Sequence, residues 1–184
     1  AITPPIPVLA IAGNHDNAKR LGYASSFLEK HQIYLSVSPP AQPEEHLKKI
    51  VLSDAHGEVD FYLLPFLKPG YVRHLFAEGE VRSYEDAVRK ILERENINER
   101  RRNVLLSHQF YTNGGQEPER CESEQLALSL GGMENVDVSV IESFDYAALG
   151  HIHGAQMVKH PYIRYCGTPL KYSVSEERHK KSIT

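Results

Sequence analysis

Residues 144–154 read FDYAALGHIHG. Tyr146, Ala147, Ala148 and Leu149 form a short apolar run ended by Gly150, which reads as a buried strand handing over to a loop. The loop opens with His151 and His153 on either side of Ile152. In an extended segment side chains alternate with period two, so both imidazoles are expected on one side. Gly150 beside them allows close backbone approach. Two other stretches end in the same way. VLAIA, residues 8–12, runs into Gly13-Asn14-His15-Asp16, and NVLLS, residues 103–107, runs into His108-Gln109. Ligands gather where strands give way to loops. Three short apolar strands, each delivering imidazole or amide to that handover, form the pattern of a metal site at one sheet edge.

Outward from these runs, residues 8–12 are all apolar and read as a strand buried on both faces. Asp16 or Asn17 can cap a helix over residues 18–30, with Leu21, Ala24, Phe27 and Leu28 on one face. Residues 38–45 hold three prolines and read as a loop. Apolar runs at 50–52 and 59–64 flank Asp54-Ala55-His56-Gly57, a hairpin signature. Residues 65–79 read as an irregular connection. Ser83-Tyr84-Glu85-Asp86 fits a capping box at the head of a helix carrying Tyr84, Val88, Ile91 and Leu92 on its apolar stripe. A strand is expected over 104–107, a long polar loop over 109–123 and a short segment over 125–130 ending at Gly131-Gly132. Further strands are expected over 136–141, 146–149 and 162–166. Strands and helices alternate early and strands dominate late, so the class is α/β (α+β) with layered sheets.

The 184 residues suit one domain, or one with a small appendage. A formal net charge of -3 excludes a domain held to nucleic acid by bulk positive charge alone. Two distant cysteines, Cys121 and Cys166, make neither a disulfide scaffold nor a zinc ribbon, and a reducing cytoplasm fits best. No run of 18 apolar residues exists, and the apolar opening lacks a basic flank and carries Pro4, Pro5 and Pro7, so neither a membrane span nor a secretory signal is expected. Of the ten histidines, four (His15, His108, His151, His153) sit in the strand-end motifs. His31, His46, His56, His74, His160 and His179 have no such context.

Taken together, PVLAIAGNHDNAKRL, YLLPFLKPGYVR, LLSHQF, FDYAALGHIHGAQ and RYCGTPLKYSVSE resemble the calcineurin-like metallophosphoesterases, and within them the SbcD-type nuclease subunits. The resemblance covers most of the chain. It implies a two-sheet β-sandwich flanked by helices and a two-metal centre, usually Mn²⁺ with Mg²⁺ or Fe²⁺ as alternatives, that cuts DNA phosphodiesters in repair and recombination. By motif, Asn14, His108 and His151 would bind one metal and His153 the other. His15 would be the catalytic histidine facing the scissile phosphate, positioned by Asp16. The resemblance also implies an SbcC-type ATPase partner and a homodimer formed by helices near residues 18–30, with no membrane.

The chemistry suits these residue types. Two dications about 3.5–4 Å apart clamp the attacking and leaving oxygens of an in-line displacement. At that spacing they repel by about 16 kcal/mol at an effective dielectric near 20, which a bridging carboxylate normally offsets. Asn14, His108, His151 and His153 are all neutral ligands. The family's two earlier motifs, an Asp-x-His and a Gly-Asp block, stand ahead of Gly-Asn-His-Asp, and neither occurs in the twelve residues before Gly13. The expectation is therefore a partial nuclease domain over residues 1–184, without the N-terminal metal motifs and the C-terminal capping domain, that alone binds at most one metal weakly. Two other functions remain open: another phosphoesterase of the superfamily, such as a phosphatase or cyclic-nucleotide phosphodiesterase, or a non-catalytic dimerisation or partner-binding fragment. Lys19-Arg20, Lys48-Lys49, residues 100–102 and residues 178–181 are candidate DNA contacts, and Tyr111, Tyr165 and Tyr172 candidate stacking residues, although solvated charge and core packing are the commoner roles.

Overall fold

A computed structural model describes residues 6–121, 124 and 134–182. The expected segment over 125–130 lies outside the described residues. The architecture is α/β, built on a six-stranded mixed sheet. Its strands are β3 (Lys48–Asp54), β4 (Gly57–Leu64), β5 (Arg102–Ser107), β8 (Tyr146–Leu149), β9 (Gln156–Val158) and β10 (His160–Tyr165). The spatial order is β3-β4-β5-β8-β10-β9. The four central strands run parallel, and β3 and β9 close the edges antiparallel. The hairpin expected around Asp54-Ala55-His56-Gly57 joins β3 to β4. There Asp54 accepts the His56 N–H at 2.7 Å, and Gly57 takes φ +109°, which only glycine adopts freely.

The connection over 65–79 contains one turn of helix, α3 (Pro69–Val72), with the proline at its start, where a missing N–H costs nothing. The longer helix α4 (Tyr84–Glu93) carries the capping box that its sequence announced. Ser83 Oγ accepts from the Asp86 N–H at 3.0 Å, and the Asp86 carboxylate accepts from the Ser83 N–H at 2.9 Å. Its stripe of Ala87, Val88, Ile91 and Leu92 is buried in the main core with Tyr62, Leu64, Leu105, Ile141 and Phe144. Two smaller parallel ribbons flank this body: β1 (Val8–Ile11) with β2 (Ile33–Ser36), and β6 (Phe110–Thr112) with β7 (Asn135–Asp137). The Ala12 carbonyl accepts from the Phe66 N–H at 2.9 Å, which seats the β1–β2 ribbon against the chain leaving β4.

Several expectations change. β1 is not buried on both faces: Val8 is exposed and Leu9, Ala10 and Ile11 are half-buried, because among the described residues only β2 pairs with it. The expected helix over 18–30 is two short helices, α1 (Ala18–Gly22) and α2 (Ser25–Glu29), parted at Tyr23 and Ala24. Asn17, not Asp16, caps α1 by accepting from the Arg20 N–H at 3.1 Å. Neither helix buries a side chain, and Tyr23 and Phe27 stand 93% and 62% exposed. The strand expected over 136–141 stops at Asp137, whose side chain accepts from Ser139 N–H at 3.0 Å and starts a 3₁₀ turn over Val138–Ile141. Inside the polar loop, β6 is wholly buried, because Phe110 and Tyr111 are core residues. No helix among the described residues is long and apolar enough to cross a membrane.

Candidate metal and active site

β5 and β8 are neighbouring parallel strands, so their C-terminal ends release His108 and the Gly150–His153 run side by side. The turn after β1 brings Asn14 and His15 to the same place. The result is a cleft of about 460 Å³ lined by Asn14, His15, His108, His151, His153 and Thr168, among others. His108 Nε2 and Asn14 Oδ1 lie 3.0 Å apart. The His108 and His151 rings meet edge to face with centroids at 5.3 Å.

Two glycines make room for this. A Cβ on Gly13 would stand 2.7 Å from His108 Cε1, and one on Gly150 would stand 2.7 Å from His108 Nδ1. The His108 imidazole therefore sits in a slot that only glycine on both sides leaves open. Burial pushes the His108 pKa down to about 4, with Asp16 opposing and the neighbouring His15 and His153 adding to the fall. Burial likewise pushes His151 to about 4, helped by His108. Both rings are thus neutral at physiological pH, the state in which imidazole ligates a metal.

His151 and His153 reach the cleft by a route other than strand alternation. β8 ends at Leu149, and His151 takes φ +96°. A non-glycine residue in that region carries about 1–3 kcal/mol of strain and is sustained only by its surroundings. Between the two imidazoles, Ile152 is 2% exposed and anchors the run in the core.

Asp16 does something different from the expected support of His15. Its Oδ2 accepts from the Gly13 N–H at 2.7 Å, while its own N–H donates to the Gly13 carbonyl at 3.3 Å. It ties the Gly13–Asp16 turn together, and His15 projects from that turn, exposed at the rim of the cleft.

The strand-end motifs did not announce the shell around His153, although Glu176 closes the RYCGTPLKYSVSE stretch. Its Nδ1 lies 2.9 Å from Glu176 Oε1 and 3.8 Å from Cys121 Sγ. Its backbone N–H donates to Glu124, whose other oxygen accepts from the Cys121 N–H at 2.6 Å. Burial alone would raise the Glu176 pKa, but hydrogen bonds from Lys181 and His153 hold it down at about 2. Cys121, His153 and Glu176 are far apart in sequence, and no spacing signal links them. Close packing at Gly167 completes this side: with φ +76°, it leaves only 2.6 Å between a hypothetical Cβ and the His153 carbonyl.

Tyr111 and Tyr165 are fully buried and cannot stack on bases. The Tyr165 hydroxyl donates to the Gln109 carbonyl at 3.0 Å and accepts the Tyr111 N–H at 2.7 Å, so both tyrosines brace the loop behind His108. Tyr172 remains exposed, its ring 6.1 Å from that of His153.

The donor set fits a divalent cation. One amide oxygen and the imidazoles, of which His108 and His151 are uncharged, converge from three chain segments. The Glu124 carboxylate also lines the cleft, its oxygens engaged by the His153 and Cys121 N–H groups, and no lysine or arginine lines it among the described residues. Such a mixed nitrogen and oxygen set suits Mn²⁺ or Fe²⁺. No protein-family model matches the chain. Among curated proteins it is similar to the SbcD subunits of the SbcCD nucleases of Staphylococcus epidermidis and Staphylococcus saprophyticus, 32% identical to each over 178 residues, 96% of this chain. The chain spans 44% of the length of these relatives. Over nearly all of its own length, then, this chain is a relative of the SbcD-type nuclease subunits, as its motifs implied.

Proposed function

We propose that the chain is part of a metal-dependent DNA nuclease subunit of the SbcD type, with the fold of a metallophosphoesterase sandwich, acting in DNA repair and recombination in the cytoplasm. The observation that carries this reading is the convergence of Asn14, His108 and His151 from three strand ends, with His108 Nε2 and Asn14 Oδ1 3.0 Å apart and both rings neutral. Asn14, His108 and His151 would hold one Mn²⁺ (or Mg²⁺ or Fe²⁺), and His153 would contribute to a second. When bound, the ions would polarise the phosphodiester and supply hydroxide at neutral pH.

The chain's own residues do the rest. His15, exposed at the rim, donates a hydrogen bond to a phosphate oxygen or a proton to the leaving 3′ oxygen. Asp16 holds the Gly13–Asp16 turn from which His15 projects. Lys19 and Arg20, exposed on α1 just beyond that turn, are the basic pair best placed for the DNA backbone. The other basic groups are largely engaged within the fold. Arg102 forks onto Asp54 at 2.8 and 2.6 Å, Arg101 pairs with buried Asp60, Lys48 with Glu29, and Lys181 with Glu176. The exposed Tyr23, between α1 and α2, and Phe27 on α2 support a contact with a second copy, and an SbcC-type ATPase would be the further partner.

The test uses the full-length protein with Mn²⁺, comparing linear duplex DNA with bis(p-nitrophenyl) phosphate and a cyclic nucleotide. The reading expects degradation of DNA to dominate. Efficient hydrolysis of the small esters without activity on DNA would instead favour a phosphatase or cyclic-nucleotide phosphodiesterase.

A further inference from the structure

Glu176 is a fully buried carboxylate that the chemistry above does not use. Its two oxygens face different partners. Oε1 stands 2.9 Å from His153 Nδ1, and Oε2 accepts from Lys181 Nζ at 2.6 Å. Lys181 uses its three donors to bind the segments together: besides Glu176, it reaches Thr168 Oγ1 at 2.8 Å and the His153 carbonyl at 3.0 Å. The 3₁₀ turn Val174–Glu176 that carries the carboxylate is itself fixed, with Ser173 capping it through the Ser175 N–H at 3.2 Å.

We propose that Glu176 is the positioning residue of His153: it accepts the Nδ1–H, fixes that tautomer, and leaves Nε2 as the ring atom that meets a cation in the cleft. The proposal rests on the metal-centre reading, and it extends that reading to a residue outside the ligand motifs. A histidine ligand commonly donates its second ring N–H to a carboxylate, and losing that partner costs about 10- to 100-fold in metal affinity. Cys121 Sγ, 3.8 Å from both His153 Nδ1 and Glu176 Oε1, raises the rival idea of a separate thiolate metal site. The Lys181 ammonium already neutralises this carboxylate, however, and an added dication would face it. That favours hydrogen-bonded orientation over ligation.

The test is made on the full-length protein at pH 8 and has two readouts: the His153 tautomer from ¹⁵N imidazole shifts without metal, and Mn²⁺ affinity by calorimetry. Wild type is expected to hold Nδ1–H. Glu176→Ala is expected to release the Nε2–H form and to weaken Mn²⁺ by about 10- to 100-fold. Glu176→Gln preserves size but sets an amide N–H₂ against either the ammonium or Nδ1–H, so it is expected to lose both signatures as well. Adding Lys181→Met lets the Gln carbonyl face Nδ1–H, and both readouts are expected to recover. A purely structural role would not produce that recovery. An Nδ1–H tautomer unchanged in both single variants would overturn the proposal, as would wild-type zinc binding that disappears in Cys121→Ser. A wild-type protein that holds Nδ1–H, loses it in the variants and binds no Mn²⁺ would uphold the orientation and refute the metal-centre reading.

Discussion

His108 is held between Gly13 and Gly150 with no space for a methyl group on either. Gly150→Ala is therefore expected to displace the imidazole from Asn14, lower Mn²⁺ affinity at least tenfold and destabilise the fold by about 1–3 kcal/mol. Calorimetry and urea denaturation check the two effects separately. The buried imidazoles also set a pH dependence. In the folded chain His108 and His151 protonate only near pH 4, whereas in the unfolded chain they do so near their ordinary 6.5. Between these values the unfolded state binds more protons, so metal-free stability is full above about pH 6.5 and falls as the pH drops towards 4. The urea midpoint should show this slope, and His151→Gln should flatten it. At this scale the sequence was informative about which histidines meet, because each follows a strand end. It could not tell what Asp16 holds, since a turn aspartate can serve either its own backbone or a neighbouring ring. Nor could it find Glu176, which reaches His153 across 23 residues.

At the scale of elements, α4 was legible because capping, helical period and burial all agree. Ser83→Ala should cost about 1 kcal/mol through the lost cap. Ile91→Ala should cost about 2–5 kcal/mol through the cavity it leaves under the sheet. Thermal or urea unfolding measures both. The elements misread from sequence share a cause. Residues 18–30 have helical spacing, but Gly22 packs against Val37, where a Cβ would come within 3.2 Å of Cγ2, and the chain divides just after it. Residues 136–141 have strand composition, yet Asp137 draws the chain into a 3₁₀ turn through a local side-chain bond. The GHIH run looked extended, but a positive φ at His151 redirects it. In each case a local backbone device overrides a periodicity that counts only side-chain polarity.

At the scale of the molecule, the neighbouring parallel strands β5 and β8 place their C-terminal ends together, and the β1–β2 ribbon, seated through the Ala12–Phe66 bond, brings the Gly13–Asp16 turn to the same cleft. The sequence carried those strand ends plainly, while the pairing order and the two small ribbons needed the structure. The candidate ligands Asn14, His108, His151 and His153 bring no negative charge to offset two dications. The 184-residue chain by itself is thus expected to bind at most one Mn²⁺, weakly, and calorimetry showing two tight sites would contradict that charge argument. Metal-dependent DNA cleavage in this cleft would rest on His15 as the group that serves the phosphate. Mn²⁺-dependent digestion of linear duplex DNA by the full-length protein, wild type against His15→Ala and with metal binding measured alongside, tests that role. The His15→Ala rate is expected to fall by about 10²- to 10⁴-fold with Mn²⁺ affinity retained; undiminished digestion by the variant would rule out this role for His15.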